Sequence, residues 1–239
     1  MGSIRGRLVA SCVGALLGLT LAHSTASAVA PEPPRRKPYG VERRVPWQTS
    51  KIHGTPDPAS PYHTEVAFPK LQFFEPLALE QVPNSKRLMV AERPGKIFTF
   101  VNERQTTGKA LVLDVGRQVF GLALHPRFDK NGRLFVMSLV ATPEPTQDGC
   151  RVSEFTVTRH DPPQADAKSE RVILTWPSTG HMGGCLQFGA DGFLYIATGD
   201  GSGIADQLES GQNVNDSLAS MLRIDVDRKS GERPYSIPA

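Results

Sequence analysis

The residues best suited to chemistry lie at the two ends of the stretch His181–Asp200, HMGGCLQFGADGFLYIATGD. Within it, the apolar run Cys185–Phe188 is followed by the sequence GADG at 189–192 and by a second apolar run, Leu194–Ile196. Asp-Gly between two such runs favours a β-hairpin, because glycine tolerates the positive φ that hairpin turns require. A hairpin brings together the residues just outside its ends, so we expect the His181 imidazole beside the Asp200 carboxylate. A carboxylate orients an imidazole and makes it more basic, which suits a proton-abstracting base.

Both residues also have an ordinary structural interpretation. A histidine beside a pair of glycines is common as a turn residue or as a hydrogen-bonded core residue. The aspartate of Gly-Asp-Gly-Ser-Gly is typical of a turn in which the carboxylate bonds the local backbone. Spacing alone leaves these alternatives open.

Short apolar strands separated by turns fill the chain from about residue 70 onwards. A unit of an apolar strand, a turn and a second strand beginning with leucine occurs three times, with second strands starting at Leu88, Leu134 and Leu194. Further strands are expected at Lys96–Val101, Ala110–Val115, Val152–Val157, Val172–Trp176 and Met221–Val226. Repeated four-stranded units of this size are typical of propeller blades. The pattern predicts an all-β fold, a β-propeller of four-stranded antiparallel blades with about three blades present; a β-sandwich is the alternative.

The first 28 residues have the pattern of a secretory signal peptide. Arg5 and Arg7 precede an apolar stretch, Leu8–Ala22, and a small-x-small cleavage pattern ends at Ala28. We predict cleavage after Ala28 and a periplasmic or secreted protein. Residues 29–69 contain nine of the chain's twenty prolines and several basic residues, which predicts an extended linker before a folded part at 70–239.

The charge distribution argues against a nucleic-acid partner. The net charge of +3 comes from the N-terminal region, since residues 66–239 hold nineteen Lys and Arg against twenty Asp and Glu. No stretch interleaves basic and aromatic residues as a nucleic-acid surface would. No other apolar segment reaches the length of a membrane span.

Removal of the signal peptide would leave two cysteines, Cys150 and Cys185. In an oxidising compartment this pair permits one disulfide, and two free thiols are the alternative. We expect the two to pair, which would stabilise the fold by roughly 3–4 kcal/mol if the bridge is unstrained.

Three stretches together resemble the glucose/sorbosone dehydrogenase family, soluble quinoproteins that use pyrroloquinoline quinone (PQQ) on a six-bladed β-propeller. The first is GLALHPRFDKNG at 121–132. The second is HMGG at 181–184, continued by FGADGFLY at 188–195 and TGD at 198–200. The third is GQN at 211–213, continued by LRIDVD at 222–227 and YSIP at 235–238. The resemblance covers about residues 73–239 and implies the N-terminal portion of such a propeller.

The resemblance implies roles for individual residues. His181 would take the proton from a sugar hydroxyl while hydride passes to PQQ, and Asp200 would orient His181. Gln212 and Gln118 match positions at which the family places glutamines near the cofactor. The implied partners are a sugar substrate and an external electron acceptor.

This chain also departs from the family pattern. Met182 replaces a polar residue after the histidine, and Ala219-Ser220 replaces the more usual Gly-Lys. The family places its cationic residues for the quinone carboxylates, and its calcium ligands, in blades that follow the Tyr-Ser-Ile-Pro segment. We therefore assign no metal ligand in this chain and expect calcium from those later blades. The alternative function is a non-catalytic propeller that binds a carbohydrate or a protein partner.

Overall fold

The computed structural model describes residues 62–141, 149–177 and 180–239. The predicted signal peptide, its cleavage site and most of the predicted linker lie outside these residues. Within them, no helix is long and apolar enough to cross a membrane. The strands are β1 (Pro76–Gln81), β2 (Arg87–Glu92), β3 (Lys96–Val101), β4 (Ala110–Asp114), β5 (Val119–Leu124), β6 (Arg133–Leu139), β7 (Cys150–His160), β8 (Pro163–Trp176), β9 (Gly183–Phe188), β10 (Leu194–Thr198) and β11 (Met221–Ile224). One helical turn, α1 (Phe128–Asn131), precedes β6, and a 3₁₀ turn spans Ser210–Gln212.

The described strands form three consecutive antiparallel sheets. Strands β1–β4 make the first sheet and β5–β8 the second, each in chain order. The third sheet contains β9, β10 and β11, so it has three strands where four were expected. Beyond β11 the chain forms two isolated antiparallel bridges, Asp225 with Ser236 and Ser230 with Arg233. The first strands of the sheets adjoin, with β5 packed between β1 and β9. These are consecutive blades of a β-propeller, which confirms the predicted fold class.

The repeated unit of the sequence is the inner hairpin of each blade. Its equivalent residues pair in the same way in all three blades: Leu79 with Val90, Leu122 with Val136, and Leu186 with Ile196. The hairpins are therefore copies of one element, placed side by side around a common axis.

The middle blade is buried on both faces. Along β6, Leu134 and Val136 join the apolar core shared with the first blade, whereas Phe135 and Met137 join the core shared with the third. All four are fully buried. Successive strand residues point to opposite faces of a sheet, so a continuous apolar run serves two cores at once.

The N-terminal end of the described chain packs on the first blade. The Phe68 ring meets the Phe100 ring edge to face, with 4.8 Å between centroids. The buried Glu92 carboxylate accepts hydrogen bonds from the Phe74 backbone N–H (3.1 Å) and from Lys109 Nζ (2.6 Å). A charged acceptor with two donors is stable in a buried position. The segment before β1 is thereby held against β2.

The two cysteines are free thiols, so the predicted disulfide is wrong. Cys150 belongs to the apolar core between the second and third blades, which also contains Leu186. Cys185 precedes Leu186 on β9 and is exposed, so its side chain lies on the opposite face of that strand. A disulfide would require β9 to rotate about its own axis so that Cys185 faced the core. Burial raises the pKa of the Cys150 thiol to about 12, which keeps it protonated and unreactive.

Candidate active site at one end of the inner strands

The β9–β10 hairpin places the predicted histidine beside the predicted aspartate. His181 Nδ1 lies 3.1 Å from Asp200 Oδ1. The two chains continue to pair beyond the hairpin, with the His181 N–H donating to the Ser202 carbonyl (2.8 Å) and the Gly201 N–H donating to the His181 carbonyl (3.0 Å). This juxtaposition was expected from the spacing of the two apolar runs.

Glycines allow the two chains to cross so closely. A Cβ on Gly199 would overlap the His181 carbonyl oxygen, and Gly183 has a φ of +69°. That φ lies in the left-handed region, which glycine adopts without steric cost. The glycines around the histidine thus serve the local backbone geometry that brings the two side chains together.

Electrostatics fix the tautomer of His181. The hydrogen bond from the Ser202 hydroxyl to Asp200 Oδ2 (2.7 Å) lowers the pKa of Asp200, partly opposed by burial and aided by the Ser202 N–H and by His181. An ionised carboxylate only accepts hydrogen bonds, so Nδ1 of His181 carries the proton. In the neutral imidazole, the other ring nitrogen, Nε2, then has the lone pair. Because the His181 side chain is 67% exposed, this lone pair is accessible to a substrate, while Asp200 is only 19% exposed.

Gln118 lies at the same end of the blades as His181. Strands β5 and β9 run side by side in the same direction, since Phe120 adjoins Gly184 and the rings of His125 and Phe188 are 5.3 Å apart. Gln118 immediately precedes β5 and is exposed, just as His181 shortly precedes β9. In the described part of the chain, no hydrogen bond joins Gln118 to the His181–Asp200 pair.

Gln212 is exposed and lies in the 3₁₀ turn between β10 and β11. Its side-chain nitrogen donates to the carbonyl of Gly211 (2.9 Å), which holds the side chain within its own loop. Across the described ranges, no hydrogen bond connects Gln212 to the pair either. The cofactor-binding roles of both glutamines remain predictions.

Arg93 is a cation at this end that sequence reasoning missed. It follows β2, and its carbonyl accepts a hydrogen bond from the Val119 N–H at the start of β5 (2.9 Å). Its guanidinium lies over the Phe120 ring at 5.9 Å, and Nη1 lies 3.7 Å from Glu75 Oε1. Its Nε atom is buried without a hydrogen-bond partner in the described structure. A signal was present, since Arg93 opens the Arg-Pro-Gly turn after the first inner hairpin.

The histidine of the first family-like stretch lies at the opposite end and is structural. His125 follows β5 and is 2% exposed. Its Nδ1 accepts hydrogen bonds from the Arg127 N–H (3.0 Å) and from Asn131 Nδ2 (2.8 Å), so Nε2 carries the proton that is donated to Asp227 Oδ1 (3.1 Å). Arg133 also pairs with Asp227. Because Asp227 follows β11, these bonds fasten the second blade to the third.

A cleft of about 480 Å³ also lies at that opposite end, lined in part by Lys86, Phe128 and His160. None of its lining residues belongs to the His181–Asp200 pair. Among the described residues, no group of three or more His, Cys, Asp or Glu side chains is arranged to hold a metal ion.

Comparison with known proteins decides the family. The family model described as Glucose / Sorbosone dehydrogenase matches residues 73–236. This chain belongs to that family. The match covers all three described blades and includes both members of the His181–Asp200 pair.

Two curated relatives are similar to more than half of this chain. Hedgehog-interacting protein of Homo sapiens is 36% identical over 180 residues, which is 67% of this chain and 25% of that protein. HIPL2 protein of Arabidopsis thaliana is 32% identical over 193 residues, which is 60% of this chain and 28% of that protein. The chain thus spans about a quarter of the length of these relatives.

Solved structures share the fold. The PQQ-bound aldose sugar dehydrogenase from Streptomyces coelicolor aligns with a TM-score of 0.53 and 20% identity, over 64% of this chain and 45% of that chain. The soluble aldose sugar dehydrogenase from Escherichia coli, in its apo-form, aligns with a TM-score of 0.51 and 20% identity, over 72% and 54% of the two chains. At this identity the likeness shows the fold alone.

Proposed function

We propose that this chain carries the proton-abstracting site of an exported, PQQ-dependent sugar dehydrogenase. The observation that supports the proposal most directly is the His181–Asp200 pair, with its exposed imidazole and its ionised carboxylate. Membership of the glucose/sorbosone dehydrogenase family makes sugar oxidation the natural chemistry for such a base.

In the proposed reaction, a sugar hydroxyl gives its proton to His181 Nε2. The hydrogen on the same carbon leaves as hydride, so the carbon is oxidised by two electrons. PQQ, when bound, supplies the acceptor for that hydride, and the electrons then pass to an external acceptor. Asp200 stabilises the imidazolium that forms and keeps the ring in place, as an orienting carboxylate does for other histidine bases.

The residues present fit an anionic quinone at two points. The His181–Asp200 pair supplies the base that the reaction needs. Arg93, at the same end of the blades, supplies a guanidinium that lies 3.7 Å from the Glu75 carboxylate in an exposed ion pair, and a guanidinium suits a ligand carboxylate equally well. The calcium ligands are expected in later blades of the propeller.

The experiment uses the product of the complete gene, loaded with PQQ and calcium, in a dye-linked assay against a panel of aldoses and sorbosone. We expect sugar oxidation that disappears when PQQ is left out. A protein that binds PQQ but oxidises no sugar of the panel would contradict the proposal.

The second candidate function is a propeller that binds a protein partner without redox chemistry. The similarity to a protein named for its interaction with Hedgehog supports it. So does the β10–β11 loop that follows Asp200, on which the side chains of Ile204, Leu208 and Val214 are 85%, 54% and 93% exposed. Three exposed apolar residues on one loop offer the kind of apolar surface that protein interfaces use.

The two candidates predict different effects of one loop variant. Replacing Ile204, Leu208 and Val214 by serine removes the apolar surface and leaves the His181–Asp200 pair in place. A binding function predicts loss of partner capture from an extracellular extract, whereas the dehydrogenase predicts sugar oxidation within about twofold of wild type. Captured partner with no oxidation under any condition would favour the binding function.

A further inference from the structure

Ser202 touches both members of the pair. Its carbonyl oxygen accepts the His181 N–H at 2.8 Å, and its hydroxyl donates to Asp200 Oδ2 at 2.7 Å. Its own N–H donates to Asp200 Oδ1 at 3.3 Å. Ser202 is only 4% exposed, so water does not compete for these bonds.

The direction of the Ser202 hydroxyl is fixed by a second bond. The backbone N–H of Gln207 donates to Ser202 Oγ at 3.1 Å. A hydroxyl has one hydrogen, and the Gln207 N–H occupies one of its lone pairs, so the hydrogen points to Asp200. The two oxygens of the carboxylate are then held by different donors, Oδ2 by Ser202 and Oδ1 chiefly by His181.

The rest of the loop holds Ser202 in place. A Cβ on Gly180 would overlap the Ser202 backbone, so the two chains are in close contact there. The Ser210 hydroxyl donates to the Asp200 carbonyl (2.8 Å), and the same loop holds Ala205 and Asp206 at positive φ. Non-glycine residues adopt such angles only where the surrounding structure enforces them.

We propose that Ser202 is a positioning residue: its hydroxyl fixes the Asp200 carboxylate as the acceptor for His181 Nδ1–H, so that Nε2 faces the substrate. The catalytic consequence rests on the proposed function; the effect on the tautomer does not. The lowered pKa of Asp200, for which the Ser202 hydroxyl is the largest cause, agrees with this role.

Sequence reasoning gave Ser202 no role, because Gly-Asp-Gly-Ser-Gly has the composition of an ordinary turn. Only the fold shows that the serine lies under the pair rather than at the tip of the turn. Serine is also the fourth residue of that turn, where a side chain of larger volume would not fit a site that is 4% exposed.

Nitrogen NMR of the imidazole tests the tautomer without reference to activity. The His181 signals are assigned by their loss in His181→Asn. In the wild-type chain, Nδ1 should show the shift of a protonated nitrogen and Nε2 that of an unprotonated one. In Ser202→Ala the two shifts should move toward a mixture of tautomers. Ser220→Ala is the matched control, because the Ser220 hydroxyl in the same loop donates to the Leu218 carbonyl and not to the pair.

A kinetic measurement on the product of the complete gene tests the consequence. Ser202→Ala should lower kcat about tenfold or more and leave the sugar KM within about twofold, since partners of a reacting group typically contribute 10–100-fold. Ser220→Ala should change neither constant. If the wild type oxidises no sugar, the proposed function fails while the NMR result stands independently.

Two results would overturn the role of Ser202. The first is an unchanged tautomer in a folded Ser202→Ala. The second is a wild-type His181 that is protonated mainly on Nε2. This result requires no variant, so it applies even if Ser202→Ala does not fold.

Discussion

Gly121→Ala tests the contact between the second and third blades. Gly121 lies on β5, where an added Cβ would overlap the carbonyl oxygen of Gly184 on β9 and would lie 3.1 Å from Leu186 Cγ. A backbone oxygen cannot rotate away as a side chain can, so the two inner strands must separate. A gap of about 0.5–1 Å removes a quarter to a half of the dispersion energy of each contact across it.

Strain and lost packing together should destabilise the folded chain by about 3 kcal/mol, at the upper end of the range for overpacking. For a folded part of this size, that corresponds to a fall in Tm of roughly 6–12 °C. Urea unfolding followed by fluorescence is a suitable assay, because Trp176 is 1% exposed in the core shared by these two blades.

Gly108→Ala is the matched control for this prediction. An added Cβ at Gly108 meets nothing within 4 Å, and its φ lies outside the left-handed region. The variant should unfold within about 0.5 kcal/mol of wild type. Equal stability of Gly121→Ala and Gly108→Ala would refute the close contact between β5 and β9.

Three further predictions concern charged groups. Asp200→Asn should lower kcat on the order of 10–100-fold in the PQQ-loaded complete gene product, because a neutral amide orients His181 less firmly; an unchanged kcat in the steady-state assay would contradict the pairing. Burial is the largest influence on the pKa of His125 and lowers it below the ordinary 6.5. The unfolded chain therefore binds more protons than the folded chain in mild acid. The stability that His125 contributes is full above about pH 6.5 and is lost as the pH falls. Urea unfolding at pH 7 and pH 5 should therefore show a smaller loss in His125→Gln than in wild type. Arg93→Met should weaken PQQ binding about 10–100-fold by calorimetry, the value of a charged hydrogen bond. Arg104→Met is the matched control, because Arg104 is paired with Glu65 as Arg93 is with Glu75, and it should leave PQQ binding unchanged.

The inner hairpins could be predicted because their signal is local. The turn at 189–192 and the apolar runs on either side of it lie within one short segment, and pairing across that turn determines the position of the dyad. The hairpin of β7 (Cys150–His160) and β8 (Pro163–Trp176) is much longer than the strands predicted there, Val152–Val157 and Val172–Trp176. Its outer half is largely exposed and polar, so it lacks the apolar alternation by which strands are predicted.

Long-range contacts explain the rest of what sequence reasoning missed. The partner of His125 is Asp227, far along the chain in another blade, so its structural role depends on the packing of two sheets. The strand faces from which the Cys150 and Cys185 side chains project depend on the same packing. The position of Ser202 depends on the path of a loop with several residues at positive φ, which its composition does not predict.

The direct test of the central claim is the turnover of His181→Ala. In the product of the complete gene with PQQ and calcium, this variant should lose activity on the order of 10²–10⁴-fold, the usual contribution of a positioned general base. PQQ affinity should stay within about threefold, because the imidazole is assigned to proton transfer and not to holding the cofactor. His160→Ala, which removes an exposed histidine at the opposite end of the blades, should keep wild-type turnover. Wild-type turnover in a PQQ-bound His181→Ala would contradict the assignment of His181 as the base.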